Sequence, residues 1–286
     1  MREWMAPLTF VFIWSTGFVV ARLTLPHVET ATFLFLRYCL ATVLVVGWVI
    51  AARAPWPREP RQWLHLAVAG LLMHLLYMLG VFCAIERGLP AGLSSLIVSL
   101  QPILTAILVG PLLKETVTGR QWSGLALGLL GTAMVVWEKT AIGLATPVTV
   151  AISVMGLLAV TAGTLWQKRF LGAVDVRSGV AIQYMVVAPF YGVGALLFES
   201  MKIDWTPDFL AGMAWAVLAL SVGAHTLFYW LIKRGSASKT AALFYLVPPT
   251  TAVLAFALFG ESFGLLALAG MVVAVAGVAL AVRKTA

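Results

Sequence analysis

Few side chains in this chain can do chemistry, and those that can stand in apolar surroundings. His74 and His225 each lie in the middle of a long hydrophobic run, and Arg37 lies about two helical turns into another. A histidine at such a place either packs through its hydrogen bonds or carries a proton. An arginine there either faces the interior of a bundle or snorkels to the interface, and snorkelling or structural pairing is the plainer expectation. Helical spacing groups further residues with the histidines. His74, Tyr77, Met78 and Val81 share one side of a helix, as do Ser221, His225 and Tyr229. Ser95, Ser99 and Pro102 line up in the same way, with Ser94 adjacent. The residues 146 positions later are Ala241, Tyr245 and Pro248. Trp14 and Ser15 correspond at that offset to Val160 and Thr161, with Trp166 further along.

A lining of aromatic rings, hydroxyls and imidazoles suits a ligand with an apolar body and a few hydrogen-bonding groups. The expected substrate wall is Trp14, Ser15, His74, Tyr77, Met78, Ser95, Ser99, Thr161, Trp166, His225, Tyr229 and Tyr245. The competing use is structural. Ser and Thr join membrane helices, and Trp and Tyr form interfacial belts.

Other chemistries lack their residues. Every Asp and Glu falls near the end of a hydrophobic run or in a gap, so the usual carboxylate for proton or sodium coupling is missing. Uniport, histidine-linked coupling and exchange remain. An intramembrane hydrolase needs a nucleophile with a base, paired aspartates, or a metal motif such as H-E-x-x-H. Neither histidine is followed by Glu and no aspartate lies at depth, so no catalytic residue, metal site or cofactor is expected. The two cysteines, Cys39 and Cys83, read as small packing residues.

The 146-residue offset runs through the whole chain. Leu100–Leu108, with Pro102 inside it, is followed by Glu115, and Leu246–Leu254, with Pro248 and Pro249, is followed by Glu261. Gly124, Gly128 and Gly131 correspond to Gly270, Ala274 and Gly277, Tyr38 to Tyr184, and Gly17 to Gly163. The prolines read as a hinge pair or as breaks that line a cavity, since each removes a backbone donor from an apolar helix. Glu115 and Glu261 read as anchors of helix hairpins, and the glycine faces either close those hairpins or meet a second copy.

Composition sets the solvent. With 62% hydrophobic and 10% charged residues and a mean hydropathy of +0.99, the chain has too little polar surface to face water. Lipid is therefore its expected partner. The net charge of +8 does not indicate nucleic acid, because the basic residues sit in short gaps and form no stripe. About 20 apolar residues span a bilayer, and ten stretches qualify: 4–23, 30–52, 62–85, 89–112, 119–137, 146–170, 178–198, 208–232, 236–259 and 263–282. Fourteen Lys and Arg fall in the gaps on one side and four on the other, which places both termini in the cytoplasm. Five spans per half is an odd number, so the second half enters from the opposite face. The expected fold is an all-α polytopic membrane protein of ten transmembrane helices, a five-plus-five inverted repeat over residues 1–140 and 146–286.

A proline-centred run, then Glu, then Gly nine residues on and another seven further, present twice, resembles the EamA family of the drug/metabolite transporter superfamily. Trp14-Ser15-Thr16-Gly17 resembles its first-helix pattern. The resemblance covers both halves. It implies export of small metabolites from the bacterial cytoplasm by alternating access, with a cavity drawn from helices 1, 3, 4, 6, 8 and 9. The nearer likeness is to the family's exporters of aromatic amino acids. One departure stands out: Lys114 precedes Glu115, whereas Gly260 precedes Glu261 with no base nearby. The expectation is an inner-membrane exporter of amphipathic metabolites, aromatic or other neutral amino acids, acting as a monomer or weak homodimer. The alternatives are a multidrug or organic-cation exporter and, from another class, an intramembrane enzyme or a non-transporting scaffold.

Overall fold

The computed structural model of this chain describes residues 5–89, 94, 97–137, 146–259 and 264–282. Among them the architecture is all-helical, with one isolated antiparallel bridge, Val28 to Ile203. The helices are α1 (Met5–Thr24), α2 (Thr30–Ala51), α3 (Pro60–Glu86), α4 (Gln101–Leu113), α5 (Gly119–Trp137), α6 (Pro147–Phe170), α7 (Val176–Phe198), α8 (Pro207–Arg234), α9 (Ala237–Ala242), α10 (Val247–Phe259) and α11 (Leu265–Val282). Eight helical stretches among the described residues are long and apolar enough to cross a membrane, and α4 is a shorter apolar helix. Large apolar side chains point outward, with Val43, Phe198 and Leu265 exposed by 71%, 84% and 85%. Such a surface requires lipid rather than water.

Two of the expected spans are not continuous. The span at 89–112 turns at Ser99 and Leu100 before α4 begins at Gln101, and the span at 236–259 divides into α9, a 3₁₀ turn at Leu243–Leu246, and α10. Pro102 and Pro248 therefore sit in the first turn of a helix, where the missing N–H is one that no helical carbonyl could accept. The break precedes each proline; the proline starts the next helix.

Two other spans are continuous but locally underwound. Leu71–Leu76 in α3 and Ala216–Ala224 in α8 are π-helical. Wider turns free carbonyls from the ordinary ladder, and such bulges occur often at functional sites. Here tyrosines of α7 take up the freed carbonyls. Tyr191 donates to His74 O at 2.7 Å, and Tyr184 donates to Ser221 O at 2.6 Å.

Small residues determine which helices meet. A Cβ added at Gly124 would overlap the backbone of Gly277 and Ala281, and one at Gly131 that of Gly270 and Ala274. So α5 and α11 run antiparallel with their backbones in contact. The glycine faces thus bind the last helices of the two halves to each other, instead of closing the hairpins with α4 and α10. Gly80 on α3 meets Gly156 on α6 in the same way. α2 and α7 are antiparallel as well: Tyr38 packs on Tyr184 with ring centroids 5.1 Å apart, and Phe35 covers Gly192. α1 lies on α8, where Trp215 Nε1 donates to Thr16 Oγ1 at 2.7 Å.

One end of the bundle is tied by two carboxylates. Glu199 accepts from the backbone N–H groups of Ala31 and Thr32 at 2.6 and 2.7 Å, so it caps α2. Glu29 accepts from the N–H and the hydroxyl of Ser200, both at 2.7 Å. The Ser200 hydroxyl holds the Glu29 carboxyl below its ordinary value of 4.5. At the other expected anchor, Lys114 adopts a left-handed φ of 57° that stops α4, and Glu115 follows in the turn to α5. Glu261 and Ser95 lie outside the described residues.

Candidate functional site

Between α1, α2, α3 and α8 lies an open cleft whose empty space, with the solvent at its mouth, is about 700 Å³. Its wall is Trp14, Tyr77, Met78 and Phe82 among aliphatic side chains, with Arg37 and His225 as the polar members. Gly17 leaves room there; a Cβ on it would meet nothing nearer than Leu220 at 3.9 Å. Trp14 is held by rings on all sides, edge-on to His225 at 5.2 Å and to Phe244 at 5.3 Å. A second cavity of about 420 Å³ shares Trp14, Tyr77 and Val81 with the first, and reaches Ser94, Ser99, Phe244 and Pro248. The cleft extends toward Leu25 and Ile85, at the end of the bundle with few basic residues. At the opposite end a third cavity of about 440 Å³ is lined by Gln167, Lys168, Asp175, Tyr229 and Lys233.

A buried polar layer lies between the two ends. Tyr229 Oη meets His74 Nε2 at 2.7 Å and donates to Gln183 Oε1 at 2.9 Å. Gln183 Nε2 donates to Gln167 Oε1 at 3.3 Å, which brings the chain of bonds to the third cavity. His74 Nδ1 faces Tyr38 Oη at 3.3 Å, and the rings of His74 and His225 stand 4.6 Å apart. Proton counting assigns the tautomers. Tyr184 spends its one proton on Ser221 O, so its oxygen accepts from His225 Nδ1 at 2.9 Å. His225 therefore carries its proton on Nδ1, and its Nε2 is a buried acceptor without a partner. By the same count Tyr229 gives its proton to Gln183, and His74 donates to Tyr229 from Nε2.

The predicted residues divide into groups. Trp14, Tyr77, Met78, Ser99 and His225 line the two connected cavities, and Pro248 lines the second. His74 and Tyr229 form the layer. Four others are placed elsewhere. Ser15 donates to Val11 O at 2.7 Å and Val247 O at 3.3 Å, tying α1 to α10. Thr161 bonds back to Leu157 O on its own helix. Trp166 donates to His65 O and packs at a tilt against Phe170 in a separate cluster. Tyr245 lies with its ring against Gly128 of α5 and its hydroxyl buried without a partner. Pro102 is buried in the first turn of α4, and Pro249 follows Pro248 in α10.

Of the readings open for Arg37, the structure shows the buried, paired one: the residue is 3% exposed, Nε donates to Ser221 Oγ at 2.9 Å across to α8, and the side chain lines the cleft. Its depth in a hydrophobic run was the available signal. Gln183, Tyr38, Tyr184 and Tyr191 also belong to the network, and no local pattern in the sequence separates them from ordinary polar residues near a helix middle.

The chain resembles known proteins along its whole length. The profile of the EamA-like transporter family matches residues 4–137 and 148–283. A "Probable amino-acid metabolite efflux pump" of Salmonella typhimurium is 24% identical, over 98% of this chain and 96% of that protein. A "Probable terminal-alkyne amino-acid exporter" of Streptantibioticus cattleyicolor is 28% identical, over 99% and 93%. An uncharacterized transporter of Archaeoglobus fulgidus is 24% identical, over 96% and 95%. A crystal structure 19% identical superposes with a TM-score of 0.82, covering 97% of this chain and 96% of the other, and shares the fold.

Proposed function

The chain belongs to the EamA-like transporter family, and from that premise we propose that it exports amphipathic small metabolites, aromatic or other neutral amino acids, by alternating access. The observation that carries the reading is the cleft walled by Trp14, Tyr77, Met78 and Phe82 and separated from the third cavity by the His74–Tyr229–Gln183 layer. A cleft lined in this way suits a solute with an aromatic side chain. The rings offer such a solute apolar contact, and the few polar groups orient it. Alternating access then consists of opening the layer while the cleft closes around its cargo. The names of two relatives support amino acids as the cargo.

The scaffold in this proposal is a ten-span, five-plus-five inverted repeat, with hinges at Pro102 and at Pro248 and Pro249. Support comes from the pairing of corresponding helices. α2 meets α7 and α5 meets α11, each antiparallel and each joining residues at or near the 146-residue offset. The membrane is the bacterial plasma membrane, and the basic gaps put both termini in the cytoplasm. The layer then separates an outward-facing cleft from a cytoplasmic cavity.

Counterflow in proteoliposomes tests the reading. Vesicles preloaded with unlabelled phenylalanine or threonine should accumulate the labelled amino acid. Absence of exchange for both overturns the amino-acid assignment, and protection of cells against methyl viologen would replace it with an organic-cation exporter.

A further inference from the structure

Arg37 is a buried cation with no anion. Its described contacts are Ser221 Oγ at Nε and the face of the Tyr38 ring 5.7 Å away. Neither is charged. Arg177, by contrast, pairs with Asp175 at an end of the bundle. Taking a guanidinium out of water is costly unless an opposite charge or a full set of acceptors replaces the water. While the cleft is open, water can solvate the terminal nitrogens. Once a solute fills the cleft and water leaves, that compensation goes, and only the solute can restore it.

The geometry fixes which group would do so. Ser221 occupies Nε, so the two terminal nitrogens remain, and they form the end-on fork that matches the two oxygens of a carboxylate. Ser221 itself is held by its bond to Ala216 O at 3.0 Å in the π-helical turn, so the fork is pre-aimed. One turn further along α8, the ring of His225 lines the same cleft and carries the unpartnered acceptor Nε2. A donor fork and a free acceptor, beside aromatic walls, are complementary to the two ends of an α-amino acid.

We propose that the cleft recognises the α-amino acid head group, with Arg37 holding the carboxylate and His225 Nε2 accepting from the ammonium. This rests on the export reading above and names what that site binds. On this proposal simple organic cations should bind poorly, since they would place a positive charge against Arg37 with nothing to offset it.

The test uses the full chain in detergent or nanodiscs, with binding read by thermal stabilisation and transport read separately by counterflow. The probes are L-phenylalanine, 3-phenylpropanoate, which lacks the amine, and L-phenylalaninamide, which lacks the carboxylate. Wild type should bind phenylalanine tightest and prefer it to the amide by about thirty-fold or more, the lower end for leaving one member of a buried charge pair alone. Arg37→Gln should abolish that preference, and His225→Phe should abolish the preference for phenylalanine over 3-phenylpropanoate. If Arg37→Gln does not fold, the wild-type ranking and Ser221→Ala, which frees the guanidinium, still decide. Equal binding of phenylalanine and its amide by wild type overturns the proposal, even if amino-acid counterflow is intact. A carboxylate preference that depends on Arg37, without counterflow, sustains the site and overturns the export reading instead.

Discussion

Replacing Tyr229 by Phe removes one oxygen from the polar layer and two hydrogen bonds with it. The phenol links His74 Nε2 at 2.7 Å to Gln183 Oε1 at 2.9 Å, and the residue is 1% exposed. Side-chain hydrogen bonds in membrane proteins contribute about 0.6 kcal/mol on average and up to about 1.7 kcal/mol. Two of them sum to about 1.2–3.4 kcal/mol, or roughly eight- to three-hundred-fold in an equilibrium. Under the proposed alternating access the loss falls on the state in which the layer is closed, because its two partners come from different helices, α3 and α7, that the tyrosine of α8 holds together. Tyr229→Phe should therefore lower Tm by a few degrees and raise the counterflow rate. Affinity measured from the cleft side should stay the same, since Tyr229 does not line the cleft. Tyr191→Phe is the control. It leaves His74 O without its 2.7 Å donor and should lower Tm without raising the rate. A Tyr229→Phe protein with wild-type Tm and wild-type rate would refute the idea that these bonds close the path.

Three further outcomes follow from the geometry. Gly17→Leu should cut transport about tenfold or more at near-normal Tm, because its backbone site has space and the added side chain must occupy the cleft, while Gly17→Ala should be silent in both assays. Gly131→Leu should abolish folded yield in size-exclusion chromatography, because its Cβ meets the backbone of Ala274; Gly47→Leu, with nothing within 4 Å, should not. Glu29→Gln should lower Tm at neutral pH. The folded-state carboxyl titrates below 4.5, so the stability it contributes is present above that value and is lost as pH falls through the lower folded one; the gap between wild type and variant should close on acidification.

Much of the scaffold was readable because membrane solvent leaves few options. Lengths of apolar runs locate the helices, and the glycines at 124, 131, 270 and 277 mark a close contact. The pattern could not say whose glycines meet. Spacing within one helix carries no information about its partner, and the contact proved to join α5 to α11. Prolines at 102 and 248 were visible as interruptions, but whether a proline kinks a helix or starts one depends on the turn before it, which Ser99–Leu100 and Leu243–Leu246 supply. The π-helical turns left no signal at all. A single wider turn costs little in propensity and is paid for by Tyr191 and Tyr184, both on another helix. Arg37 was visible as a charge at depth, but the choice between snorkelling and pairing was not, because the distance to an interface along one helix does not reveal the Ser221 hydroxyl across from it.

The two halves share a frame but not a chemistry, and the differences fall at the site. Arg37 corresponds at the 146-residue offset to Gln183, His74 to Leu220, Leu79 to His225, and Cys83 to Tyr229. Tyr38 and Tyr184, one residue beyond Arg37 and Gln183, are alike in both halves and touch each other. On one side of that contact stands a cation facing the cleft; at the corresponding place on the other stands a neutral amide that bonds Tyr229 and Gln167 and so belongs to the layer. If both positions held arginine, a solute carboxylate would be attracted equally to either end, and two uncompensated cations would face each other through the layer. A single arginine avoids that repulsion and, if it holds the solute carboxylate as proposed, gives the solute one orientation. The exchange of Gln183 for Arg is therefore more damaging than the loss of a hydrogen bond: it buries a second charge among groups that are already paired, at a cost of several kcal/mol per ion. Gln183→Arg should fail to reach the membrane as folded protein, whereas Gln183→Glu should fold, since its carboxylate still accepts from Tyr229 and its charge is opposite to that of Arg37. Equal folded yields for the two variants would show that the layer does not sense the charge of Arg37.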